Sequence, residues 1–152
     1  MSSTWPSWVL AAAAVIPGLL AAQEAREIGV QALVTSSDPA LVTGGVYGAM
    51  RVAARARIAL SLGGGVSDGQ AAGRGELLGH FLLSPGATTR PGVYVGGGIA
   101  GVVGPVDQGY VVALVGMESA PGRGSGWAVE AGVGGGFRFT AGWRWRWRRA
   151  PK

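Results

Sequence analysis

In residues 137 to 148, FRFTAGWRWRWR, apolar side chains alternate with polar or small ones at every position, and most of the apolar side chains are large. One side of the pattern holds Phe137, Phe139, Ala141, Trp143, Trp145 and Trp147, and the other holds Arg138, Thr140, Gly142, Arg144, Arg146 and Arg148. A period of two is the geometry of a β-strand, because successive side chains point to opposite faces. A helix would spread the same tryptophans and arginines around its circumference. The segment therefore predicts a strand with one apolar and one charged face.

Seven further segments precede it and repeat the alternation less regularly. Clusters rich in Pro, Gly, Asp and Ser separate them, and every proline between residues 24 and 150 lies in such a cluster, since proline cannot donate to a strand ladder. The strands predicted in this way are 27–35, 42–52, 56–65, 72–83, 92–103, 108–118, 125–133 and 137–147. Their lengths match the roughly 9 to 11 residues of a tilted strand that crosses a bilayer.

The parity of the side chains also predicts two hairpins. If the charged residues of the last two strands share a face, a three-residue loop at 134–136 must pair Val133 with Phe137. The same reasoning predicts a tight turn at 53–55, with the arginines that flank it on one face. A loop that is one residue shorter would turn the following strand over.

The energy of an arginine in lipid predicts which face points inward. The interior of an eight-stranded barrel is just wide enough for side chains to fill, and the charged face of these strands is rich in small residues. An arginine that faces lipid near the midplane would cost about 2 to 4 kcal/mol. The charged face is therefore predicted to line the lumen and to fill it, without an open pore. The predicted interior charge network, with a structural role, consists of Arg74, Glu76, Glu118, Glu130 and Arg138.

Composition excludes several kinds of site. The chain has no cysteine and a single histidine, so it can form neither a disulfide framework nor a Cys- or His-rich metal centre. His80 and Ser84 are the one pair that suggests a hydrolase, but the sequence places no carboxylate beside them. We therefore predict no catalytic residue, no metal site and no cofactor.

The first residues predict an export signal. Residues 8 to 22, WVLAAAAVIPGLLAA, are uncharged and end in small residues, and Pro17 interrupts them well short of the roughly 20 residues of a membrane-spanning helix. The predicted division of the chain is a signal peptide at 1–22 and a barrel domain at 23–152.

The signal, the eight alternating segments and a terminal strand with spaced aromatics (Phe137, Phe139, Trp143, Trp145 and Trp147) together resemble the small outer-membrane β-barrel family of the OmpA and OmpX type. The resemblance covers essentially the whole mature chain. It implies an all-β, eight-stranded antiparallel up-and-down transmembrane barrel, exported through the inner membrane and embedded in outer-membrane lipid. It also implies that these aromatics form part of an aromatic girdle and a C-terminal insertion signal for the barrel-assembly machinery.

The family resemblance also implies that both termini lie in the periplasm. The loops at 36–41, 66–71, 104–107 and 134–136 would then face outward. Most basic residues would collect at the periplasmic end, namely Arg26, Arg51, Arg55, Arg57, Arg90, Arg123, Arg146, Arg148, Arg149 and Lys152. Asp38, Asp68 and Asp107 would lie at the other end.

Two other functions stay open at the level of sequence. A soluble secreted barrel of the lipocalin type would turn the large apolar face inward around a ligand. A lipid-modifying barrel enzyme would use His80. The WRWRWRR run taken alone suggests a nucleic-acid patch, but beside seven other alternating segments it is interpreted as the closing strand, and no nucleic-acid partner is predicted.

Overall fold

The computed structural model describes residues 25–148, which form one closed antiparallel barrel. The strands are β1 (Ala25–Thr35), β2 (Leu41–Arg51), β3 (Ala56–Ser67), β4 (Gln70–Leu82), β5 (Gly92–Val103), β6 (Gln108–Glu118), β7 (Ser125–Val133) and β8 (Phe137–Arg148). Each strand pairs with its sequence neighbours, and β1 pairs with β8 to close the barrel. The predicted fold class is confirmed. The predicted signal segment lies outside the described residues.

The strand bounds agree with the sequence prediction within two residues, and β5, β6 and β7 agree fully. Both predicted hairpin registers are confirmed, because Val133 lies opposite Phe137 and Arg51 lies opposite Arg57. Within residues 25–148, no helix is long and apolar enough to span a membrane.

The β3–β4 connection is shorter than the predicted loop at 66–71. The strands continue until Ser67 lies opposite Gln70, which leaves Asp68 and Gly69 as a two-residue turn. Both have positive φ, at 51° and 70°. This is the pattern of a type I′ turn, whose twist matches that of the flanking strands. The Asp-Gly pair therefore lets the hairpin extend to its tip.

The two ends of the barrel differ in their connections. We call the end formed by the turns 52–55, 83–91 and 119–124 the lower end, and the end formed by 36–40, 68–69, 104–107 and 134–136 the upper end. The lower turns pack on one another, because the Gly122 amide donates to the Ala87 carbonyl at 2.8 Å. Pro121 is fully buried beneath them. Two of the turns at the lower end are therefore in direct contact with each other.

The apolar faces of the strands point outward and the charged faces point inward, as predicted from the cost of an arginine in lipid. Large apolar side chains from all eight strands point outward and are 38 to 81% exposed. Among the strand residues whose side chains the structure describes, Arg26, at the start of β1, is the one charged residue on the outer face. Glycine makes room for the largest inward side chains. A Cβ added to Gly116 would lie 2.2 Å from the ring of Tyr94, which faces it across β5 and β6.

Candidate functional site

A continuous line of ion pairs runs along the lumen. Following the contacts from the upper to the lower end, its members are Arg74, Glu76, Arg138, Glu130, Arg144, Glu118, Arg57, Glu27 and Arg146. Each of these side chains is at most 4% exposed. Buried charges are costly unless they are paired and hydrogen-bonded, so the network is stable only as a set.

The upper part of the network is centred on Arg138. Its Nη2 donates to Glu76 Oε2 at 2.8 Å and to Glu130 Oε2 at 3.2 Å. Arg74 Nε donates to the other oxygen of Glu76, also at 2.8 Å. Arg74 Nη2 donates to the carbonyl of Gly134 at 3.0 Å, which ties the network to the β7–β8 loop.

The lower part is centred on Glu118. Its Oε2 accepts from Arg57, Arg144 and Arg146 at 3.1, 3.3 and 2.9 Å. Arg57 also reaches Glu27, at 3.0 Å. Arg144 joins the two parts, because its Nη2 donates to Glu130 Oε1 at 2.8 Å.

Tyrosines and the single histidine fill the space between the arginines. The Tyr94 hydroxyl donates to Glu130 at 2.8 Å and accepts from Arg144 at 3.1 Å. Arg57 donates to His80 Nδ1, so the proton of the neutral imidazole is on Nε2. The guanidinium of Arg144 lies 4.2 Å from the centre of the Tyr47 ring, at cation–π distance. These contacts join the rings to the ion pairs.

The outer face carries its aromatic residues on one side. Trp143, Trp145 and Trp147 project from β8, and Trp127 of β7 lies opposite Trp143. Phe137 and Phe139 continue the row toward the upper end. Among the described residues, outward aromatic side chains also include Phe81 on β4, so the aromatics form a stripe along β7 and β8 rather than a ring.

Two solved structures resemble this barrel. The N-terminal β-barrel domain of Pseudomonas aeruginosa OprF matches it with a TM-score of 0.59 and 15% identity, over 82% of this chain and 100% of that one. The chain has the fold of the small outer-membrane β-barrels. The de novo designed TMB2.3 matches with a TM-score of 0.58 and 16% identity, over 86% of this chain and 98% of that one. The chain matches no protein-family model, and no curated protein matches it in sequence.

In this small outer-membrane barrel fold, the structure brings together all residues of the predicted interior network, which are Arg74, Glu76, Glu118, Glu130 and Arg138. Glu118 joins the others through Arg144. The residues Phe137, Phe139, Trp143, Trp145 and Trp147 all point outward. Their roles in an aromatic girdle and an insertion signal stay predictions.

Sequence reasoning missed part of the network and misplaced two of its members. Glu27 was not foreseen in the lumen, although it alternates with the outward residues Ile28 and Val30 and this parity could have identified it. Arg57 and Arg146 were expected on the charged face but also among the exposed charges of the basic rim, whereas their side chains are only 0% and 4% exposed. Both lie near the lower end of their strands and point inward as parity predicts, but glutamates on other strands, Glu27 and Glu118, meet them at that height and hold them inside the lumen.

Two small cavities lie in the described barrel. One of about 10 Å³ lies beside Arg74 and Glu76, and one of about 80 Å³ opens beneath the upper loops beside Asp38, Arg74 and Tyr110. Within residues 25–148, no group of three or more His, Asp or Glu side chains is placed to hold a metal ion.

Proposed function

We propose that the protein is an integral outer-membrane barrel with a structural or small-scale binding role, and that its lumen is plugged by its own side chains. The observation that carries the proposal is the distribution of charge. Among the described side chains, the outward strand surface is uncharged apart from Arg26, while four glutamates and five arginines of the strands are buried inside as ion pairs.

The alternative of a soluble ligand-binding barrel fits this distribution poorly. A lipocalin-type protein needs an apolar interior that can hold a ligand. Here most large aliphatic and aromatic side chains point outward, and the buried apolar residues, such as Leu78, Leu82 and Tyr94, share the lumen with the ion pairs of Arg138, Arg144 and Glu130. In water, this exterior would expose an apolar surface far larger than that of soluble monomers.

We propose further that the barrel is not an enzyme. His80 Nδ1 accepts from Arg57, and its ring lies 4.9 Å from that of Tyr94, so its described contacts belong to the ion-pair network. A general base must be within hydrogen-bond reach of the proton that it abstracts. A substitution of His80 that abolished turnover of an acyl lipid would establish the enzymatic alternative instead.

Insertion is proposed to depend on β8. Export through the inner membrane delivers the chain, and the barrel-assembly machinery recognises the terminal strand by its outward aromatics at 137, 139, 143, 145 and 147. The exposed position of these side chains supports the proposal, since a binding partner can contact them before lipid does.

Two measurements on the full chain test the proposed function. An integral barrel stays in the membrane pellet after carbonate extraction and changes its gel mobility on boiling, whereas a soluble protein does neither. In a planar lipid bilayer, the plugged lumen predicts no stepwise ion conductance. Release by carbonate would refute the membrane location, and a stable open conductance would refute the plugged lumen.

A further inference from the structure

Charges outside the lumen are segregated between the two ends of the barrel. The basic residues of this class within 25–148 whose side chains are described are Arg26, Arg55, Arg90 and Arg123, and all lie at the lower end, where the half-buried Arg51 lies on the inward face opposite Arg57. The exposed acidic residues Asp38, Asp68 and Asp107 all lie at the upper end. The glutamates nearest the lower end, Glu27 and Glu118, are buried in the lumen. In the described residues, the lower surface is therefore cationic without an exposed carboxylate.

The lower arginines belong to one connected surface. Arg55, Arg90 and Arg123 are exposed and lie on three different turns. These turns are joined by backbone contacts, since the Leu82 amide donates to the Arg55 carbonyl at 2.7 Å and Gly122 donates to Ala87. Arg51 Nη2 donates to the Pro85 carbonyl at 3.1 Å, which links the first turn to the second. The positive charge is thus distributed around the rim.

The rim lies directly below the apolar outer face. Trp147, which points outward, is opposite Arg26 in the β1–β8 register, and Leu83 projects outward where β4 meets its turn. Tryptophan is enriched where the apolar part of a membrane meets the headgroups. If the outer face is in hydrocarbon, the guanidinium groups of the rim are at the depth of lipid phosphates. Arginine binds phosphate through paired hydrogen bonds.

We propose that this lower rim (Arg55, Arg90 and Arg123, with Arg26) binds the headgroups of anionic phospholipids in the leaflet around it. The proposal rests on the membrane location in the proposed function. A phospholipid fits better than an anionic cell-wall polymer, because the exposed tryptophans point sideways toward acyl chains and Arg26 lies opposite Trp147, so the rim borders the face that would meet lipid. The rim would fix the vertical position of the barrel and select its neighbouring lipids.

Lipid selectivity can be measured with spin-labelled lipids. The full chain is refolded into phosphatidylcholine vesicles with trace spin-labelled phosphatidylglycerol or phosphatidylcholine, and electron paramagnetic resonance gives the motionally restricted fraction of each. The attraction between one basic residue and anionic lipid favours that lipid about fivefold. The rim contacts only one leaflet, so averaging over both leaflets gives an expected preference for phosphatidylglycerol of roughly two- to threefold. The preference should fall as salt is added, because exposed charges are screened.

A matched pair of triple variants assigns the effect. The variant R55Q/R90Q/R123Q should lose most of the preference, whereas D38N/D68N/D107N, which removes as many charges from the upper end, should keep it. Equal restriction of both lipids by the unmodified protein would overturn the proposal while leaving the membrane location intact. The absence of any restricted lipid would contradict both. If the protein binds isolated cell-wall polymer through the same arginines and shows no lipid preference, the ligand of the rim is the polymer and not a phospholipid.

Discussion

Replacing Glu130 by Gln tests the lumen network at the carboxylate that links Arg138 of its upper part to Arg144. Glu130 accepts from the Tyr94 hydroxyl at 2.8 Å, from Arg144 at 2.8 Å and from Arg138 at 3.2 Å. Glutamine keeps the shape of the side chain but removes its charge, so two buried arginines each lose one counter-ion. Hydrogen bonds to charged groups contribute about 1.5 to 3 kcal/mol, against about 0.5 to 1.5 for neutral ones, and breaking a buried ion pair costs about 3 to 5. We expect E130Q to lower the free energy of unfolding by about 3 to 5 kcal/mol.

The assay is reversible urea unfolding of the refolded protein in lipid vesicles, followed by tryptophan emission and by heat-dependent gel mobility. The control is D68N, which removes an exposed carboxylate and keeps a residue suited to the type I′ turn, so its effect should stay within about 0.5 kcal/mol. A loss below about 1 kcal/mol for E130Q would refute the reasoning, because it is the value expected for a solvated ion pair. The lumen would then be hydrated rather than packed.

Two further substitutions test the packing of the wall and the surroundings of its outer face. G116A should lower the free energy of unfolding by about 1 to 3 kcal/mol in the same titration, because its Cβ would meet the Tyr94 ring at 2.2 Å. The control G44A has open space around the added Cβ and should change the free energy of unfolding much less. Equal effects of the two substitutions would argue against a tightly packed Tyr94 ring. V46R places a charge at the middle of β2 on the outer face and should cost about 2 to 4 kcal/mol in vesicles, and a neutral result would mean that this position contacts water.

The strands and their faces were predictable because both depend on local sequence. Proline and glycine clusters end β5, β6 and β7 at the predicted residues, and the period of two assigns the face of Trp145 or Arg144 directly. The inference from parity also gave the correct pairing of Val133 with Phe137. The Asp68-Gly69 turn was the exception, since the sequence showed a turn but not how close to it the ladder would continue.

The partners within the lumen were less predictable because they depend on register between distant strands. Arg57 of β3 binds Glu27 of β1 and Glu118 of β6. These three residues lie on different parts of the barrel wall. Parity shows that each points inward, but the height at which they meet is set by the β1–β8 closure and the tilt of the strands. The same limit explains why Arg57 and Arg146 were expected at the rim.

Tryptophan quenching tests the central claim most directly, which is that the apolar face meets lipid and the charged face fills the lumen. In the variant W5F/W8F, the tryptophans that remain are Trp127, Trp143, Trp145 and Trp147, all of which point outward. The fold predicts strong quenching of their emission when the vesicles contain brominated acyl chains, and little quenching by acrylamide in the surrounding water. Tryptophan emission that is not quenched by brominated acyl chains but is quenched by acrylamide would contradict the account.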